Sequence, residues 1–175
     1  MRIYIIGMPG TGKSHFGKML AKAMHLSFID TDEQVEQLTQ LSIRQLIEQK
    51  GEKAFRTIES EVLLKTAANA HCVIATGGGT PVYNNQIQWM KNHGIVVWID
   101  TDLSLIAKRI AQNITRRPLF MGLEAPQIAQ KLSEIYTLRK KIYKYADVFV
   151  PVKTLHNTSL TPVIQRIVKL SKRGK

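Results

Sequence analysis

The stretch GMPGTGKS, Gly7 to Ser14, constrains this chain more than any other, because it fills every fixed position of the pattern GxxxxGK[ST]. Directly before it runs RIYII, an apolar strand pattern, and directly after it an amphipathic helical stretch begins near Lys13. Strand, glycine loop and helix in that order form a cradle for phosphates. The glycines can turn successive backbone N–H groups inward, and the helix N-terminus adds its partial positive charge. Lys13 offers a full charge to the β- and γ-phosphates, and the Ser14 hydroxyl is a hard oxygen ligand for Mg²⁺. The candidate nucleotide contacts are Gly10, Thr11, Gly12, Lys13, Ser14 and the adjoining His15.

The rest of the chain alternates short β-branched runs with helix-period stretches, the pattern of an α/β domain built on a parallel sheet. Strands are expected at Ile3–Ile6, Ser27–Ile29, Cys72–Thr76, Ile95–Ile99 and Val148–Val152. Runs such as CVIA and IVVWI are apolar throughout, as strands covered on both faces require. Phe16, Met19, Leu20, Ala23 and Met24 recur at helical spacing and should bury one face of the first helix; Phe55, Ile58, Val62 and Thr66 do the same further on. No repeat, low-complexity tract or linker divides the sequence, so residues 1–175 read as one domain. Two stretches break the pattern. Residues 113–125 (NITRRPLFMGLEA) lack a sustained period, and a loop of that length usually carries function. Residues 153–161 form a second polar connection, ahead of a last helix expected at Leu160 to Lys172.

The formal net charge of +12 raises the question of nucleic acid. The charge is spread thinly, with its densest parts at Arg139–Lys144 and in the tail, and aromatic residues are only 7% of the chain. No basic run is interleaved with aromatics as a base-stacking surface requires. A basic surface that draws in anionic substrates is the simpler reading. The single cysteine, Cys72, excludes an internal disulfide framework, and the five histidines show no metal-ligand spacing. With no signal-peptide pattern and no apolar run long enough to span a bilayer, the expectation is a cytoplasmic protein that binds neither membrane nor nucleic acid.

The second expected strand ends in FIDTD, placing Asp30 and Asp32 at its carboxyl end, where open α/β sheets bind ligands. One carboxylate can hold water on Mg²⁺ while the other meets an acceptor hydroxyl as base or orienter. Either can equally be the N-cap of the helix beginning near Glu33. Asp100, at the end of GIVVWID, competes for the metal-side position, and pattern alone does not separate the two. Further on come FRTIESE with Arg56, the triplet Gly77, Gly78 and Gly79 after the third strand, RRPL (Arg116 to Leu119) in the long loop, and LRKKIY with Arg139. Three consecutive glycines make sense where backbone must approach a ligand closely. An arginine fork suits a carboxylate or phosphate.

GMPGTGKS, FIDTD, FRxxE, GGG, RPL and LRxxxY, in that order and spacing from about Arg2 to Val150, resemble the shikimate kinases. The resemblance implies a three-layer P-loop kinase fold with a five-stranded parallel sheet, helices on both faces and a mobile lid at about 113–125. It implies a substrate-binding region at about 31–60 and transfer of the ATP γ-phosphoryl group to the 3-hydroxyl of shikimate, with one Mg²⁺ per subunit. Lys13 and Ser14 would serve the phosphates and metal, with Asp30 and Asp32 acting on the metal through water. Asp32 would also meet the shikimate hydroxyls, Arg56 and Arg139 its carboxylate, and Gly77 to Gly79 would line the same pocket. Arg117 would close over the transferring phosphate, although Arg116 lies beside it. Arg109 is the nearest basic residue for the adenine, with spacing to RPL one residue long. The working unit is expected to be a monomer. A kinase of another hydroxylated acid, such as gluconate, and a nucleotide-dependent nucleic-acid binder are the competing readings.

Overall fold

Strand β1 (Arg2–Ile6) has four successive residues, Ile3 to Ile6, with no solvent exposure. A strand this apolar on both faces has to lie inside a sheet covered on both sides. The computed structural model describes residues 1–114, 118–153 and 159–174. Among these, β1 is the middle strand of a five-stranded parallel sheet ordered β2-β3-β1-β4-β5. The others are β2 (Ser27–Asp30), β3 (Cys72–Ala75), β4 (Ile95–Thr101) and β5 (Val148–Val152). Tyr4 is in register with Ile74 on one side and Val96 on the other. The carboxyl ends of the central strands therefore emerge along one edge. The chain leaves β1 towards β3 and β2 one way and towards β4 and β5 the other, which opens the crevice where such sheets take ligands.

Alternation along β1 feeds two cores. Tyr4 and Ile6 enter one with Leu63, Met90, Ile110 and Leu132, which come from α3 (Ile43–Lys65), α4 (Gln86–His93), α5 (Leu103–Gln112) and α6 (Ala125–Tyr143). Ile3 and Ile5 enter the other, closed by α1 (Lys13–Met24) and by Val163 and Ile167 of α7 (Leu160–Ser171). A third, small core of Val35, Leu46, Phe55 and Val62 joins α2 (Thr31–Thr39) to α3. α3 is interrupted at Gly51, whose φ of 82° and ψ of 163° leave the helical region.

The expected strands are present, with β4 two residues longer than anticipated because its pairing with β5 continues to Thr101 opposite Val152. The stripe on α1 differs. Phe16, Leu20 and Ala21 are buried, whereas Met19 is 38% exposed and Ala23 faces solvent. Gly17 explains the roll: the Phe28 ring lies so close that a Cβ there would stand 2.6 Å from it, so α1 meets the sheet along the 16–17–20–21 side. In the long loop, Pro118–Phe120 form a short 3-10 turn, and Phe120 is wholly buried, fastening this end of the loop to the core.

Truncating the buried stripe should be costly and truncating the exposed one should not. Leu20→Ala is expected to lower the unfolding free energy by about 2–5 kcal/mol, and Met19→Ala by no more than about 0.5 kcal/mol. Urea titration decides it; equal losses at the two positions would contradict the observed roll of α1.

Candidate active site

The glycine loop caps α1 with backbone alone. Gly12 is the N-cap, in the left-handed region at φ 91°, and offers no side-chain cap to the first-turn N–H groups. Those donors, with the helix dipole behind them, make an anion site. Lys13 Nζ donates to the carbonyls of Gly7 (3.1 Å) and Met8 (3.0 Å), which holds its charge over the loop. Thr11 is buried with its hydroxyl donating to Met8 O, so its side chain braces the loop. Arg109 Nη1 braces it from outside, donating to Gly10 O and Thr11 O at 3.0 Å each. The cavity over the loop, about 230 Å³, is lined by Gly10, Gly12, Lys13, Ser14, His15, Asp30, Asp32 and Thr76.

Of the three candidate carboxylates, Asp30 and Asp100 have different hydrogen-bond partners. Ser14 Oγ donates to Asp30 Oδ2 at 2.5 Å, while Asp30 Oδ1 accepts from the N–H groups of Asp32 (3.0 Å) and Glu33 (3.5 Å). Asp30 is thus both the N-cap of α2 and the partner of the Ser14 hydroxyl. Asp32 sits in the first turn of α2 and lines the phosphate cavity. Asp100 lines neither cavity described here. Its two oxygens accept from the Tyr136 hydroxyl at 3.1 Å each, and burial pushes its carboxyl above the usual range despite that bond and the charge of Lys140.

A second cavity, about 720 Å³, shares Ser14, Asp30 and Asp32 with the first and extends over Arg56, Glu59, Gly77 to Gly79, Arg139, Leu119 and Phe120. The triplet glycines each admit a different side chain. A Cβ on Gly77 would run into Glu59 Oε1 and stand 3.0 Å from Asp32 Oδ1, one on Gly78 would stand 2.9 Å from Pro9 and 3.0 Å from Arg139 Nη1, and one on Gly79 2.6 Å from Arg56 Nη1. Arg56 pairs with Glu59 at 2.7 Å and Glu52 at 3.3 Å. Burial works against its charge, but the two carboxylates outweigh burial and hold the guanidinium above its ordinary value. Arg139 Nη1 is buried and, among the described residues, has no hydrogen-bond partner. Leaving such a donor unpaired costs about 1–3 kcal/mol, and native structures keep such groups where a ligand or water completes them.

Two residues, Glu59 lining this pocket and Tyr143 behind Gly78, had no role assigned from the sequence. Glu59 is buried beneath the glycines and accepts from Arg56 and from Thr80 Oγ1 (2.7 Å). Its i,i+3 spacing from Arg56 on a helix was the available signal. Tyr143 is fully buried and donates to Gly78 O; burial raises its pKa to about 12, so it stays a donor. Arg116 and Arg117 lie outside the described residues.

The profile of the family described as "Shikimate kinase" matches residues 9–170. The chain belongs to the shikimate kinase family. The match runs past Val150 and takes in most of α7. A shikimate kinase of Prochlorococcus marinus is 40% identical over 152 residues, covering 86% of this chain and 74% of its own length. Among solved structures, a shikimate kinase from Aquifex aeolicus superposes with a TM-score of 0.84 at 32% identity, over 99% of this chain and all of that one. One from Acinetobacter baumannii, solved in complex with shikimate, gives 0.83 at 30% identity, over 99% and 94% of the two chains. The five-stranded parallel sheet is that of a P-loop kinase.

Adding one methyl group tests the glycine packing. Gly79→Ala is expected to displace Arg56 and raise the KM of the phosphoryl acceptor about ten-fold, an overpacking cost within the usual range, with the KM of ATP unchanged. Steady-state kinetics with each substrate varied in turn checks it, and an unaltered acceptor KM would show that Gly79 is not needed for Arg56 to pass.

Proposed function

We propose that the chain transfers the γ-phosphoryl group of ATP to the 3-hydroxyl of shikimate, giving shikimate 3-phosphate and ADP. The observation that carries this reading is Arg139: its buried Nη1 has no hydrogen-bond partner among the described residues, beside Gly78, in the cavity that also holds Arg56. Such a donor asks for a carboxylate, which a planar arginine fork holds with defined geometry. Asp32 lines both cavities, so it stands where an acceptor held by the arginines meets a phosphate held by the loop.

In the reaction the acceptor hydroxyl oxygen bonds to the γ-phosphorus as the bond to the β–γ bridging oxygen breaks. The hydroxyl proton passes to the Asp32 carboxylate, and ADP leaves. Lys13 and the loop N–H groups stabilise charge on the phosphoryl oxygens. Arg56 and Arg139 fix the acceptor, which makes the attack effectively intramolecular. The Ser14 hydroxyl and the Asp30 carboxylate are hard oxygens already within hydrogen-bond distance, a donor pair that fits Mg²⁺, an ion usually held by one or two carboxylates plus phosphates and water. Bound there, one Mg²⁺ per subunit would neutralise phosphate charge, with Asp32 reaching it through water. His15 and Arg109 are assigned to the nucleotide side, Arg117 to the lid expected at about 113–125, and the acceptor to a region at about 31–60. No described helix is long and apolar enough to cross a membrane. The proposed working form is one domain, a cytoplasmic monomer that binds small molecules and no nucleic acid or membrane.

ADP release from ATP and Mg²⁺ is the direct test, run with shikimate, gluconate, nucleoside monophosphates or no acceptor. Release dependent on shikimate alone supports the proposal; release with another acceptor removes the roles given to Arg56 and Arg139. Asp32→Asn should lower kcat by about 10²-fold or more with ATP affinity little changed. Arg139→Ala should chiefly raise the shikimate KM.

A further inference from the structure

α6 carries Arg139 on a stretch that meets the core through the partly buried Ile135, Tyr136 and Ile142. Leu132 and Tyr143 are buried, but residues 133–142 between them include no fully buried side chain. Two hydroxyl groups span the gap. Three residues before Arg139, the Tyr136 hydroxyl meets both oxygens of Asp100 at the end of β4. Four residues after it, the Tyr143 hydroxyl meets Gly78 O. At spacings of three and four these side chains share one helix face with Arg139. The contacts on that face hold α6 against the sheet on either side of the guanidinium.

We infer that the Tyr136–Asp100 hydrogen bond is a positioning pair for the acceptor site, fixing the roll of α6 so that Arg139 stays aimed at the acceptor carboxylate. A helix free to roll would carry the buried Nη1 of Arg139 towards water, and the two pins oppose that movement. Tyr136 suits the task because burial, followed by the Asp100 charge, lifts its pKa to about 12 and keeps the hydroxyl a donor. Lys140 lies over the Tyr136 ring, 5.3 Å from its centre, and adds a cation beside the Asp100 carboxylate. The same strand end reaches the phosphate loop, since Thr101 Oγ1 donates to Thr11 O at 3.4 Å. The pair thus ties the acceptor's arginine to the strand that braces the nucleotide loop. Neither Tyr136 nor Asp100 lines either cavity, so both act through Arg139 and not on substrate.

The inference rests on the shikimate reading above, and wild-type turnover of shikimate is the control that separates the two. Tyr136→Phe removes one hydroxyl and keeps the ring. It is expected to raise the shikimate KM about three- to ten-fold, the loss of a hydrogen bond to a charged group only partly transmitted, with kcat and the ATP KM within about two-fold. Asp100→Leu should reproduce this, whereas Asp100→Asn, which keeps an acceptor oxygen, should restore a KM near wild type. In an Arg139→Ala background Tyr136→Phe should raise the KM no further, because the two act as a unit. A lowered melting temperature with an unchanged shikimate KM would make the pair merely structural and overturn the inference. Equal shifts in both substrates' KM, or additive effects with Arg139→Ala, would overturn it as well. If wild type turns over shikimate and Tyr136→Phe matches it, the inference alone fails. If wild type ignores shikimate, the functional reading fails and the inference with it.

Discussion

The carboxylate of Asp30 joins the helix that follows the phosphate loop to the helix that carries Asp32. One oxygen ends the N-terminus of α2, and the other receives the Ser14 hydroxyl at 2.5 Å. Capping and ligand chemistry are commonly treated as alternatives for such a residue, but a carboxylate has two oxygens and about four lone-pair directions, and here they are divided. Because α2 begins at that cap, Asp32 is delivered to the boundary between the phosphate cavity and the acceptor cavity by the geometry of one helix turn. The parallel register of β1, β2 and β3 makes this possible, since it brings the ends of all three strands to one edge.

Much of the site was legible because its determinants are local. The phosphate loop is specified by eight consecutive residues flanked by an apolar strand and an amphipathic helix, and the structure has that strand, loop and helix at the expected places. What decided the remaining questions lies far away in sequence. Asp30 and Asp100 both end strands, and only the Tyr136 hydroxyl, 36 residues beyond Asp100, shows that the latter is occupied elsewhere. The helical period of α1 was evident, but which side met the sheet depended on Phe28 lying against Gly17. The break at Gly51 was hidden because both halves of α3 keep a helical pattern, and a glycine within a helix is ambiguous evidence.

The glycine triplet shows why a pattern can be recognised before it is understood. Its flexibility matters less than its missing side chains: Glu59 crowds the Cβ position of Gly77, Pro9 and Arg139 that of Gly78, and Arg56 that of Gly79. Glu59 beneath them turns the arrangement into a closed network, holding Arg56 and Thr80 while remaining out of solvent. A buried carboxylate of this kind is tolerable only when its partners are in place.

The small core of Val35, Leu46, Phe55 and Val62 is distinct from the two cores that flank the sheet, and Gly51 breaks α3 inside it, between Leu46 and Phe55. That core adjoins the second cavity directly, since Phe55 belongs to both, and its neighbours Arg56 on α3 and Asp32 on α2 line the same cavity. Recognition of the acceptor is therefore built as a module with its own tolerance for change. Selection, natural or in the laboratory, can retune which hydroxylated acid is accepted while the nucleotide machinery is inherited intact.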